Sequence, residues 1–395
     1  MRTYRNLLPL VAGLLLALGA CRQERDLVPA EHEQINISQD LKQEAAGMFI
    51  LNNGGPGTNK ATLDYLDFAT GNYARNIYAE SNKDLLPVLG DNAVDMALEG
   101  DRLFIVLAGS HKVVCLNANT MRKLGEIQVN DCRSIAFHQG KGYVTSYKCK
   151  GLREDQPPLG EVVRFDPKTL KKTDSITVGM QPKAMLFGKN LLWVANCGEY
   201  NAPAYDASIS LIDVSGEKMT QVAKENVLKN TRLLLGTTDV TEGEYTKIYA
   251  YSDGDFHEMK PTLIEVDALS LSPREGTAQE YPLIAQALVP KAHAYMLQGH
   301  IVESGWYGQP TVTRYFQGGG SVQAAKEVEL GPTREEFVNA LAFAITPTGS
   351  HLFISDAKNF TSSGMLYCYR AGERAQFEWK VRAGIVPIKM VFKAK

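Results

Sequence analysis

Most side chains in this sequence that could do chemistry suit gripping a ligand better than breaking a bond. Aromatic and amide residues recur in a handful of polar, glycine-containing stretches: Asn52, Asn53, Tyr147, Asn196, Tyr200, Asn201, Tyr205, Phe256, His257, Trp306, Tyr307, Asn359 and Phe360, with Lys150 and Arg153 among them. Flat rings stack on apolar ligand faces, amides hydrogen-bond to polar edges, and a guanidinium meets an anion. Any one of these rings can equally cap its own element; the whole set points to a binding surface. Catalytic patterns are weaker. Asp253-Gly254-Asp255 with Glu258 offers carboxylates for a calcium ion, but the EF-hand spacing is absent and turn chemistry explains it as readily. The seven histidines form no H-E-x-x-H, no Cys-x-x-Cys-His attaches a haem, and Gly318-Gly319-Gly320 reads as a hairpin turn, not a phosphate loop.

The elements that must carry these residues repeat. Runs ending in Asp67, Asn117, Asp166, Asp213 and Asp267 lie 50, 49, 47 and 54 residues apart, and each reads as a short β-strand. Three residues on come Thr70, Thr120, Thr169 and Ser270, with Gly216 in the fourth copy. An Asp or Asn that bonds its own backbone, followed by a hydroxyl residue, makes a tight turn. Thr311 to Phe316 and Met365 to Arg370 continue the series without the Asp. A partner strand precedes each: Met48–Leu51, Leu103–Leu107, Tyr143–Ser146, Leu192–Ala195, Ile248–Tyr251, His300–Glu303 and Leu352–Ser355. A third, inner strand shows in Gly179-x-x-Pro182-x-x-Met185-x-Phe187, which recurs as Gly384-x-x-Pro387-x-x-Met390-x-Phe392. The second copy ends the chain, while the first repeat, from Gly47, lacks an inner strand. Seven repeats near 50 residues with about four strands each predict an all-β fold, a seven-bladed β-propeller over 47–395, closed by the C-terminal strand. Two β-sandwiches would leave that match unexplained.

The 395 residues are 44% hydrophobic and 22% charged, with a formal charge of −2, which offers nothing for nucleic-acid phosphates. At the N-terminus, Arg2 and Arg5 precede the apolar run Leu7–Leu18 and then Leu18-Gly19-Ala20-Cys21, which looks like a bacterial lipobox. It implies a signal peptide over 1–20, lipidation of Cys21, and attachment to a membrane by lipid without a transmembrane helix. Residues 21–46 read as a flexible tether with a reach of about 25–30 Å. Gln23, Glu24 and Asp26 resemble acidic tags that send lipoproteins to the outer-membrane surface. Five cysteines remain after Cys21. The positions of Cys149 and Cys197 at corresponding ends of blades three and four allow a disulfide; buried free thiols account for the count as well.

The repeated Gly-x-x-Pro-x-x-Met-x-Phe and strand-Asp-x-x-Thr motifs resemble the YncE-like propellers over residues 47–395. Together with the lipid site and acidic tag, the chain is similar to the BtuG-type cobamide-binding surface lipoproteins of anaerobic Gram-negative bacteria. That resemblance implies a non-enzymatic protein that binds cobalamin and delivers it to a TonB-dependent outer-membrane transporter, with the corrinoid as cargo and no covalent cofactor. In a propeller, the loops between second and third strands share one face. The expected ligand-binding residues are therefore Asn52, Asn53, Tyr147, Arg153, Tyr200, Tyr205, Phe256, His257, Trp306, Tyr307, Asn359 and Phe360. Alternatives are a glycan, haem or protein ligand on the same face, or a propeller lactonase or lyase holding a metal over the channel. The latter needs acids or histidines where inner strands begin, and Ala93, Cys132, Pro182, Thr231, Ala292 and Asn339 are poor ligands.

Overall fold

The computed structural model describes residues 28–147, 159–236, 240–241, 244–280, 284–288, 293–298, 311–318, 321–372 and 374–395. Within them the chain forms seven antiparallel sheets of four or five strands, arranged as a β-propeller. Sheet two shows the pattern: Ala93–Glu99 is innermost, followed outward by Arg102–Leu107, Lys112–Asn117 and Lys123–Gln128. Middle strands such as Arg102–Leu107 read as continuous apolar runs because sheets cover both their faces.

The turns after the third strands are built as their sequences predict. Asp67, Asn117, Asp166 and Asp267 accept the N–H of Thr70, Thr120, Thr169 and Ser270 at 2.8–3.1 Å through a side-chain oxygen. Their carbonyls take the next N–H, from Gly71, Met121, Leu170 and Leu271, and all four of those residues have positive φ. Asp213 makes the shorter version with Ser215. The bonds favour the ionised carboxylate and hold Asp166 and Asp267 below the usual range.

The ring closes as the repeat implies. Pro387–Lys393 pairs with Gly47–Asn52 and becomes the inner strand of sheet one. Sheet six corrects the reading in detail. Its inner strand is Ile284–Leu288, not a strand beginning at Ala292, and its second strand is His293–Gln298. His300–Glu303 lies outside the described residues. The third strand of sheet six, Thr311–Gly318, stands where the repeat places it, so the correction concerns the first two strands alone.

The stretch 31–46 is not free chain. Glu31–Gln34 adds a fifth, outermost strand to sheet one, and Gln39–Glu44 is a helix with Leu41 fully buried. Ile35, Ile37 and Leu41 pack with Phe68 and Tyr73 of sheet one and with Phe353 and Trp379 of sheet seven, so this arm seals the closure seam. Isolated polar residues gave no strand periodicity; the apolar ones acquire their meaning only against the propeller wall. Polar bonds fasten the arm to sheet seven: Arg370 donates to Asp40, Arg382 to Glu31, and Thr348 and Ser350 to Glu44.

Burial of Glu44 opposes its ionisation, but the bonds from Ser350 and Thr348 outweigh it and hold the carboxyl below its ordinary value. A lowered folded pKa gives stability that is fully present above the unfolded value, roughly 4.3, and is lost as pH falls through the folded one. Acidification from about pH 5 to pH 3 is therefore expected to loosen the arm, read as loss of amide-exchange protection over residues 35–45. Glu44→Gln should flatten that dependence; equal dependence in both proteins would show that Glu44 is not the latch.

Candidate functional site

Each of the seven inner strands slips register against its neighbour within its first residues, at Ala93/Asp95, Cys132/Ile135, Pro182/Met185, Thr231/Leu233, Ile284/Gln286, Ala340/Phe343 and Pro387/Lys389. Such bulges re-aim side chains. Here the residues of the slip line an axial cavity of about 560 Å³: Val94 and Asp95, Arg133 and Ser134, Lys183 and Ala184, Arg232 and Leu233, Leu341, Ile388 and Lys389. Asn53, Pro56, Asn92, Tyr147, Glu199 and Tyr200 complete the wall.

Charge dominates this mouth. Arg133 pairs with Asp131 at 2.8 Å, Arg232 with Asp253 at 2.9 Å and Lys389 with Asp95 at 3.0 Å, while Lys183 is bonded to Glu199. The Arg133 guanidinium lies 4.4 Å from the centre of the Tyr147 ring and 5.9 Å from that of Tyr200, and the two rings meet edge to face at 5.9 Å. Tyr147 Oη donates to Glu199 at 2.7 Å. Burial first, then the nearby Cys197 and Glu199, push the Tyr147 hydroxyl well above its ordinary value, so it stays a donor. Burial of Glu199 works against its ionisation, yet Lys183 and the Tyr147 bond keep it below the usual range. The result is a preorganised corner of ring faces and fixed charges.

The expected site residues divide. Asn53, Tyr147 and Tyr200 reach the cavity; Asn53 Nδ2 donates to Asn92 Oδ1 at 2.7 Å and to the Ala93 carbonyl at 2.6 Å. Tyr147 is buried, whereas Tyr200 is 67% exposed. Asn52 is fully buried and donates to Thr62 Oγ1, so it holds the loop base and not a ligand. Phe256, His257, Asn359 and Phe360 are exposed and Tyr205 is half-buried, but none lines the cavity. Asn359 caps its own turn through Thr361 and Ser362. Arg153, Trp306, Tyr307, Lys150 and Cys149 lie outside the described residues. Cys197 is a free thiol bonded to the Gln181 carbonyl, which corrects the disulfide alternative. Asp255 spends one oxygen on the N–H groups of His257, Glu258 and Met259, which is turn chemistry. Among the described residues, no three His, Cys, Asp or Glu side chains group to hold a metal ion.

Sequence reasoning missed Asp95, Arg133, Lys183, Arg232 and Lys389. It weighed the first residue of each inner strand, and the charges stand one or two positions later. The signal was present: Lys183 and Lys389 sit inside the two matched Gly-x-x-Pro-x-x-Met-x-Phe copies.

No family model matches the chain, and no curated protein matches it. Solved structures share its fold. A putative 6-phosphogluconolactonase from Bacteroides uniformis is 11% identical, with 89% of this chain and 100% of that one covered and a TM-score of 0.57. A quinonprotein alcohol dehydrogenase-like protein from Bacteroides thetaiotaomicron is 12% identical over 88% and 78%, at 0.55. The Pan2 WD40 domain of Neurospora crassa is 11% identical over 76% and 81%, at 0.51. At such identities the likeness is one of architecture: this chain is a β-propeller whose axial mouth carries its own set of side chains.

Proposed function

We propose that the axial mouth captures a bulky, amide-edged ligand, that the ligand is a corrinoid such as cobalamin, and that the protein works as a lipid-anchored outer-surface receptor. In this reading the cargo passes to a TonB-dependent outer-membrane transporter. The observation that carries it is the pair of rings Tyr147 and Tyr200, 5.9 Å apart and edge to face, in the wall of a cavity of about 560 Å³ that Asn53 also lines. A corrinoid is too broad to enter such a cavity whole; it lies across the mouth, with its flat face on exposed Tyr200 and one edge inserted. The lipobox-like Cys21 and the family resemblance supply the location and the cargo.

Isothermal titration of the lipid-free protein with cyanocobalamin, haem and oligosaccharides tests it. Saturable heat is expected with cyanocobalamin. Tyr200→Ala should weaken binding by about 1–3 kcal/mol, as for a truncated aromatic anchor, and leave the melting temperature in place because the ring is largely exposed. No heat with any corrinoid removes the cargo assignment, and heat with an oligosaccharide instead reassigns the mouth to glycan.

A further inference from the structure

The cavity's acids and its cations are unequally satisfied. Glu199 receives Tyr147 Oη on one carboxylate oxygen and Lys183 Nζ on the other. Asp95 receives the Ile135 and Met96 N–H groups and Lys389 Nζ. Against this, Arg133 has five N–H donors and, among the described residues, one acceptor, Asp131; its Nε is buried without a partner. Lys183 has three donors and spends one on Glu199. Asp253 keeps one unbonded oxygen, but that atom is buried beside Arg232. The demand left in this corner is thus for an acceptor. Arg133, Lys183 and Arg232 stand at equivalent places on three consecutive inner strands, so their heads converge on one side of the axis, and Tyr147 beneath Arg133 limits its swing.

From this geometry we infer that the corner formed by Arg133, Lys183 and Arg232 is an oxyanion subsite, which takes a phosphate or carboxylate group borne by the ligand. It deepens the capture reading and rests on it. An oxyanion supplies several acceptor lone pairs at once, and the fork of Arg133 suits it better than any neutral amide.

The test uses the folded lipid-free chain and two kinds of probe. Inorganic phosphate and acetate are titrated separately by calorimetry, and the preferred anion tells phosphate from carboxylate. Saturable binding of at least one is expected, weakened tenfold or more in Arg133→Gln and in Lys183→Gln and unchanged in Lys380→Gln on sheet seven. Cobinamide, which lacks the nucleotide phosphate, is then compared with cyanocobalamin. If phosphate is the preferred anion, wild type should favour cyanocobalamin at least tenfold and Arg133→Gln should erase the preference. Lack of saturable binding by either anion, or binding unmoved in both variants, overturns the subsite even if corrinoids bind. Anion binding without any corrinoid binding overturns the cargo and keeps the subsite.

Discussion

Removal of residues 386–395 is expected to abolish cooperative folding. The lost segment is the inner strand of sheet one, and its partner Gly47–Asn52 is buried along its whole length. Without it, Met48, Phe49, Ile50 and Leu51 lie on an unpaired edge, and an apolar open edge is a template for aggregation. The deletion also takes Met390 out of the core that joins sheets one and seven, and Ile388 and Val391 from the contact between sheets one and two. Both neighbours of the seam lose their wall together. The result should be an insoluble chain, or a soluble one with a broad, weak unfolding transition. Adding a synthetic peptide of residues 386–395 should restore part of the transition by strand addition. A truncated protein that melts as sharply and as high as the full chain would falsify closure as the source of stability.

Asp64→Ala is expected to cost about 2–6 kcal/mol, from two buried donors losing their acceptor at about 1–3 kcal/mol each, with a third, half-buried donor left to water. Asp64 is fully buried in sheet one. Its Oδ2 accepts Tyr73 Oη at 2.9 Å and the Gly384 N–H at 3.1 Å, and its Oδ1 accepts the Asn76 N–H at 2.9 Å. Gly384 comes from the C-terminal end of the chain, so this one carboxylate joins an outer strand, the connection to sheet two and the closure seam. Burial pushes its pKa up, and the converging donors pull back against that without cancelling it. Asp64→Asn keeps the shape but turns an NH₂ group toward N–H or O–H donors, so it should not rescue. The check is the denaturant midpoint of both variants against wild type, with unchanged slope. A loss below about 1 kcal/mol in Asp64→Ala would mean water replaces the carboxylate, and the hub is not needed.

The two lesions separate what short-range chemistry dictates from what closure adds. The Asp-x-x-Thr turns were legible because each is complete within five residues, as Asp67 to Gly71 shows. The C-terminal strand was legible because Gly384 to Phe392 duplicates Gly179 to Phe187. In sheet six the third strand, Thr311–Gly318, was legible, but the first two were misplaced, since no Gly-x-x-Pro-x-x-Met-x-Phe motif marks where its inner strand begins. The arm was misread for a related reason: Ile35, Ile37 and Leu41 are too sparse to mark an element until Phe353 and Trp379, more than 300 residues away, cover them. At the site, composition identified rings and amides in the loops. It did not show that Asn52 turns inward to Thr62, or that Phe256 and Phe360 stay off the axis.

The sequence by itself thus determined the repeat, the turn chemistry and the ring's closing strand, since each depends on backbone preferences and alternation within a few neighbouring residues. Only the tertiary structure decided which side chains share the axis. That choice follows from a register slip at the head of every inner strand, and a slip exists only once two strands are paired.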